Sequence, residues 1–353
     1  MKVADFLLSR ARHLHPGYFA LVMATGIVSI DFHQHGMYGL ARVLFGLNAL
    51  AWSILIVLTG SRLLRFRKEL IADFTHPARG AGFLTLTAGT CILGIQCLTL
   101  VHWPEVARIL VTIGALSWAA LLYLFFAATI TARIKPGFTR SINGGWLVAV
   151  VATQSLTVLM VLLSADATDG SPLGLFVALC LYLIGAALYL LIITLVVYRM
   201  MFFPMRAREF TPPYWINMGA LAITTLAGSL LVMHIVTPDP LYQLVPFVKG
   251  FTLFFWATAS WWIPLLVMLE IWRHLWRHVP LRYEVDNWDI VFPLGMYTVG
   301  TWQLSHALDL PYLQIIPVIG VYVSGLVWLW VATGAVTRAY RGFRLGGRRH
   351  TPP

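Results

Sequence analysis

Charge is the scarcest property of this chain. Of its 353 residues 11% are Asp, Glu, Lys or Arg and 59% are hydrophobic, whereas soluble domains average about 25% charged. So few polar groups cannot cover the surface of a soluble protein of this size, and a bilayer removes the need. Cysteine is nearly missing: Cys91, Cys97 and Cys180 all fall inside apolar stretches, without the spacing of a metal site or a disulfide framework. The sequence has no Gly-rich phosphate loop, no His-Glu-x-x-His and no pair of intramembrane carboxylates to relay protons. Asp31, Asp289 and Glu270 sit near the ends of apolar stretches, where water is expected to reach them. No histidine lies mid-stretch, so facing haem ligands are excluded too. No cofactor and no metal are expected. A membrane-embedded redox or lipid-modifying enzyme is the competing class, and it needs catalytic residues gathered at one depth that the sequence does not supply. No cleavable signal peptide is evident.

A spanning helix needs about 20 largely apolar residues, and ten stretches qualify: Gly17–His35, Leu40–Ser61, Gly80–His102, Glu105–Ile130, Gly144–Ser164, Pro172–Arg199, Pro213–Val236, Leu241–Trp272, Trp288–Leu308 and Tyr312–Thr337. The 25 Lys and Arg residues, apart from Arg42, Arg108 and Lys249, fall into the two tails and every second gap. Cytoplasmic loops carry this excess, so the alternation implies an even number of spans with both ends inside. The expected division is a basic, amphipathic N-terminal tail (1–15), a ten-helix transmembrane domain (16–338) and a basic C-terminal tail (339–353). The net charge of +11 is spread over short loops, which suits anionic headgroups of the bilayer and not a nucleic acid.

The odd spans repeat. Each opens on an aromatic beside a Gly, Pro or polar residue, as in Gly17-Tyr18-Phe19, Gly145-Trp146 and Pro213-Tyr214-Trp215, and is rich in small and hydroxylic residues. The even spans are bulkier. Small residues let helices approach or line a lumen, while bulky ones suit lipid. The fold expected is therefore all-α: five helical hairpins in a quasi-fivefold ring, odd helices inside, around a central pore. Thr25, Thr90, Thr153, Gln154, Thr224 and Thr298 are the pore-lining candidates, since hydroxyl and amide donors hold an anion without trapping it, although Ser and Thr also bond their own helix backbone.

Histidines mark the outer ends of odd spans: His33 (with His35), His102, His234 and His306. Protonated, they would draw anions to an outer vestibule; equally, His is tolerated at any interface. Lys249, two turns inside the eighth span, would either join that vestibule, bridge protomers or snorkel to the headgroups. In the ninth span Phe292 precedes Pro293, which frees a carbonyl and kinks the axis. An aromatic at such a break can close a lumen.

His15-Pro16-Gly17-Tyr18-Phe19 through Ala24-Thr25-Gly26-Ile27-Val28-Ser29, Trp146 with Thr153-Gln154-Ser155, Tyr214-Trp215-Ile216-Asn217-Met218-Gly219, and Phe292-Pro293-Leu294 together resemble the tellurite-resistance/dicarboxylate transporter family, over about Pro16 to Arg338. The resemblance implies a homotrimer in the cell membrane, one pore per protomer, and a phenylalanine on the ninth helix that occludes the pore. Phe292 is the position that matches, with Tyr297 one turn on as competitor. It also implies small anions as substrates, C4-dicarboxylates such as malate first, and inorganic anions (chloride, nitrate, sulfite, tellurite) as the alternative.

Overall fold

A computed structural model describes residues 11, 12, 14–166 and 172–348. The regular structure of these residues is helical. Ten long helices run α1 (Ala20–Gln34), α2 (Tyr38–Arg65), α3 (Leu84–Thr99), α4 (Pro104–Thr131), α5 (Val148–Asp166), α6 (Pro172–Phe202), α7 (Ile216–His234), α8 (Val245–Ile271), α9 (Trp288–Ala307) and α10 (Ile315–Arg348). A helix satisfies each backbone group within its own segment, which lipid demands, and Pro where a first-turn N–H needs no partner starts several of them, as at Pro104 and Pro172. Left-handed residues turn the chain between α1 and α2 (Gly36), α3 and α4 (His102) and α9 and α10 (Asp309).

Each odd helix packs on the even helix that follows it, and the odd helices pack on one another in a closed cycle, α1 to α3 to α5 to α7 to α9 and back to α1. Burial divides the two sets. The apolar stretch of α7 is 94% buried and that of α2 only 17%. Close approach explains why the odd helices are rich in glycine. A Cβ on Gly219 of α7 would stand 2.7 Å from Pro293 Cγ of α9, and one on Gly228 would stand 2.0 Å from Thr252 Oγ1 of α8.

Every odd helix begins with a tight 3-10 turn: Pro16–Phe19, Gly80–Phe83, Gly144–Leu147, Pro212–Trp215 and Val285–Asn287. These five turns touch in a second closed cycle, a collar at the arginine-rich end of the ring. His15 Nδ1 lies 3.9 Å from Asp286 Oδ1 and joins the first turn to the last.

Eight helices are long and apolar enough to cross a membrane; α1 and α9 are the two of the ten that are not among them. Both are enclosed by other helices, so lipid sets no demand on their composition. Two boundaries differ from expectation. Residues 339–348, expected as tail, continue α10, and a short helix, Arg67–Phe74, occupies the first arginine-rich gap. Residues 1–10 of the N-terminal tail and Asp169 lie outside the described residues.

Candidate functional site

The axis of the inner cycle holds a cavity of about 50 Å³ touched by all five odd helices. Its polar groups are Gln34 of α1, Thr99 of α3 and Gln303 of α9; the rest of the wall is aliphatic, including Val158 and Leu162 of α5, Leu226 and Leu230 of α7, and Val299 of α9. Phe292 lies seven residues before Val299, so it falls on the same face of α9, about 10 Å nearer the collar at 1.5 Å per residue. It is 1% exposed. By the same spacing Ser155 shares the face of Val158 and Leu162, and its buried Oγ has no hydrogen-bond partner.

Of the pore-lining candidates Thr25, Thr90, Thr153, Gln154, Thr224 and Thr298, none lines this cavity. Trp52 Nε1 of α2 donates to Thr90 Oγ1 (3.0 Å), Trp118 Nε1 of α4 to Thr153 Oγ1 (2.9 Å) and Trp328 Nε1 of α10 to Thr25 Oγ1 (3.1 Å). Gln154 Nε2 donates to the Tyr182 carbonyl of α6 (3.0 Å). A Cβ on Gly320 of α10 would meet Thr298 Oγ1 at 2.5 Å. Thr224, which bonds the Ala220 carbonyl, is two residues from Leu226 and thus on the far side of α7. Thr25, Thr90 and Thr153 thus face even helices, because an indole N–H brought into the protein interior must find an acceptor.

The same bonds form a pattern that the sequence reading missed. Each even helix reaches the odd helix of the next hairpin: Trp52 to Thr90, Trp118 to Thr153, Trp256 to Thr301 (3.0 Å), Trp328 to Thr25, and Tyr189 Oη of α6 to the Asn217 carbonyl of α7 (3.3 Å). All five seams of the cycle are stitched. A ring with a polar tip, Trp or Tyr, on the even spans was the available signal.

Asp31 is another departure. Expected in reach of water, it is fully buried, its Oδ2 accepting from Ser324 Oγ of α10 at 2.9 Å. His35 Nδ1 stands 3.3 Å from Asp31 Oδ1, and its ring meets Trp302 edge-on at 5.0 Å.

The other candidate histidines, His33, His102, His234 and His306, lie at the end opposite the collar. His33 packs edge-on against Tyr38 at 5.1 Å, His102 is exposed in its left-handed turn, and the Nδ1 atoms of His234 and His306 bond the carbonyls of Leu230 and Trp302, both at 2.8 Å. Leu230 and Gln303 line the cavity, so these two imidazoles stand near its mouth. Lys249 is exposed beside buried Val248 on α8, a helix of the outer set, and the structure puts it on the perimeter, away from the cavity.

Comparison with known proteins places this architecture. Residues 13–336 match the SLAC1 family, described as voltage-dependent anion channels. An uncharacterized transporter of Methanocaldococcus jannaschii is 24% identical over 96% of this chain and 95% of its own length. A sulfite efflux pump of Trichophyton rubrum is 22% identical over 92% of this chain and 90% of its own. An uncharacterized membrane protein of Mycobacterium tuberculosis is 44% identical over a shorter region, 40% of this chain and 71% of the relative.

Proposed function

This chain belongs to the voltage-dependent anion channel family, and on that premise we propose that it passes small anions along the axis of the odd-helix cycle, with Phe292 as the side chain that closes the path. The observation that carries this reading is the cavity touched by all five odd helices, with Phe292 two turns away on the face that Val299 and Gln303 share. Its wall supports the chemistry. Gln34 and Gln303 of the wall, with the unpartnered Ser155 hydroxyl one turn nearer the collar, offer amide and hydroxyl donors without fixed charge, so an anion binds weakly enough to leave. In this reading α1 and α9 complete a ten-span ring, both termini are cytoplasmic by the arginine distribution, and the protein works in the cell membrane as a homotrimer with one pore in each protomer. Pro293 places a kink beside the gate and frees the Asp289 carbonyl.

Two substrates stand first. Malate represents the C4-dicarboxylates that the sequence resemblance implies. Sulfite represents inorganic oxyanions, favoured by the name of the fungal relatives.

Anion flux into proteoliposomes tests the reading, with malate, sulfite and chloride offered separately to wild type and Phe292→Ala. Removing the ring should raise flux about tenfold, a barrier lower by about 1.4 kcal/mol, and the fastest anion ranks the substrates. Equal flux through both proteins would remove Phe292 from the gate.

A further inference from the structure

A second cavity, of about 360 Å³, lies at the arginine-rich end of the molecule and away from the axis. It opens in the seam between the outer helices α8 and α10. Its walls come from the π-helical turn Trp272–Trp276 that follows α8 (Arg273, His274), from α10 (Trp330), from the loop that joins α8 to α9 (Arg282) and from the lead-ins of α7 and α9.

Everything polar that converges there, one side chain aside, favours an anion. Arg208, Arg273 and Arg282 line it. Arg208 and Arg282 are exposed, and their guanidinium groups have no partner among the described residues. Arg273 Nε is buried without a hydrogen-bond partner, and its Nη1 pairs with Glu270 Oε2 at 3.8 Å. Glu270 also accepts from Trp215 Nε1 at 3.0 Å and lies 3.1 Å from His274 Nε2. The opposing group in the wall is Glu284, which is exposed, so two unpaired guanidinium groups and the free Nε of Arg273 face one solvated carboxylate. Thr211 and Asn287, which precede the long buried helices α7 and α9, also line the cavity. They add a hydroxyl and an amide to its lining. The loop is held in place: His274 Nδ1 bonds the Val279 carbonyl at 2.6 Å and Asn287 Nδ2 bonds the Arg282 carbonyl at 3.3 Å.

Arginine's planar fork matches the oxygens of a phosphate group. The cavity lies where the apolar surface of α8 and α10 gives way to the basic loops, the depth of lipid headgroups, and Trp330 supplies an amphipathic ring there. We propose that this seam is a binding site for a phosphate group, presented by an anionic phospholipid of the adjoining leaflet or as the free ion. The site is separate from the axial path and stands whether or not Phe292 is the gate.

The test uses the full chain and the double variant Arg208→Gln/Arg282→Gln. Neither side chain supports the fold through a bond of its own, so the variant should remain folded. Arg133→Gln/Arg140→Gln, on another loop at the same end, controls for general basic charge. Native mass spectrometry is run with phosphatidylglycerol and cardiolipin against phosphatidylcholine, and thermal unfolding with and without inorganic phosphate. Wild type and control should retain the anionic lipid, and the double variant should lose at least about tenfold in affinity, the scale of one charge-assisted bond. Stabilisation by inorganic phosphate alone, lost in the same variant, assigns the site to the free ion. Retention by the double variant equal to wild type, an equal loss in the control, or binding of neither phosphate source would overturn the proposal.

Discussion

At the scale of single residues, the tightest backbone constraint is in the collar and not at Phe292. A Cβ on Gly144 would stand 2.3 Å from the Pro213 carbonyl oxygen and 2.7 Å from Tyr214 Cα. Both are backbone atoms, which cannot swing aside as a side-chain tip can. The Gly144 and Pro212 turns are neighbours in the collar cycle, so the clash would push two lead-ins apart. Gly144→Ala should therefore destabilise the protein by about 1–3 kcal/mol, the usual cost of overpacking. Gly39, where an added Cβ meets nothing within 4 Å, gives the comparison: Gly39→Ala should hold or slightly raise stability, since Ala is the better helix former. Thermal unfolding of both variants in detergent measures this, and equal melting temperatures would show that the collar tolerates separation.

At the scale of elements, the five seams set which face each helix presents. An odd helix contacts its own hairpin partner, two odd neighbours and the even helix of the hairpin before it. The bond from tryptophan or tyrosine at each seam fixes the last of these contacts. Trp118→Phe keeps an aromatic ring of smaller size and removes the N–H to Thr153, whose hydroxyl still donates to the Ala149 carbonyl. The expected cost is about 0.5–1.5 kcal/mol, the net value of one hydrogen bond. Trp276, 73% exposed, is the control, and Trp276→Phe should change little. Chemical or thermal unfolding compares them; a Trp118→Phe protein as stable as wild type would mean that the seams are held by shape alone. The division into inner and outer helices was legible in the sequence, because lipid and a protein interior select different side chains. Ala24-Thr25-Gly26 reads as inner and Leu121-Leu122-Tyr123-Leu124 as outer. Rotation about each axis was not legible. Odd helices are buried all round, so α1 shows no apolar stripe to orient it. Whether Thr25 faces lumen or neighbour depends on Trp328, 303 positions along the chain. The burial of Asp31 was hidden for the same reason, since its partner Ser324 is 293 residues away.

At the scale of the whole molecule, the two ends differ in the kind of positive charge they carry. The collar end has the arginines, whose charge does not vary with pH. The opposite end has His33, His102, His234 and His306, and histidine is the side-chain type whose charge changes between about pH 5 and 8. If anions enter from that end, acid there adds positive potential at the mouth and raises the rate of encounter, an effect that extends about 10 Å at 0.1 M salt. Flux through wild type should then rise as external pH is lowered from about 8 to about 5, and less steeply in high salt. The quadruple variant His33→Gln/His102→Gln/His234→Gln/His306→Gln should match wild type at the alkaline end and stay flat below it. The buried Asp31–His35 pair is the alternative sensor, because it joins α1 to α10 and leans on Trp302, next to Gln303 in the cavity wall. Protonation there would act on helix packing and not on encounter, so salt would leave its effect unchanged. A pH dependence that survives the quadruple variant, is insensitive to salt and disappears in His35→Gln would move the sensor from the mouth of the ring to the contact between its first and last hairpins.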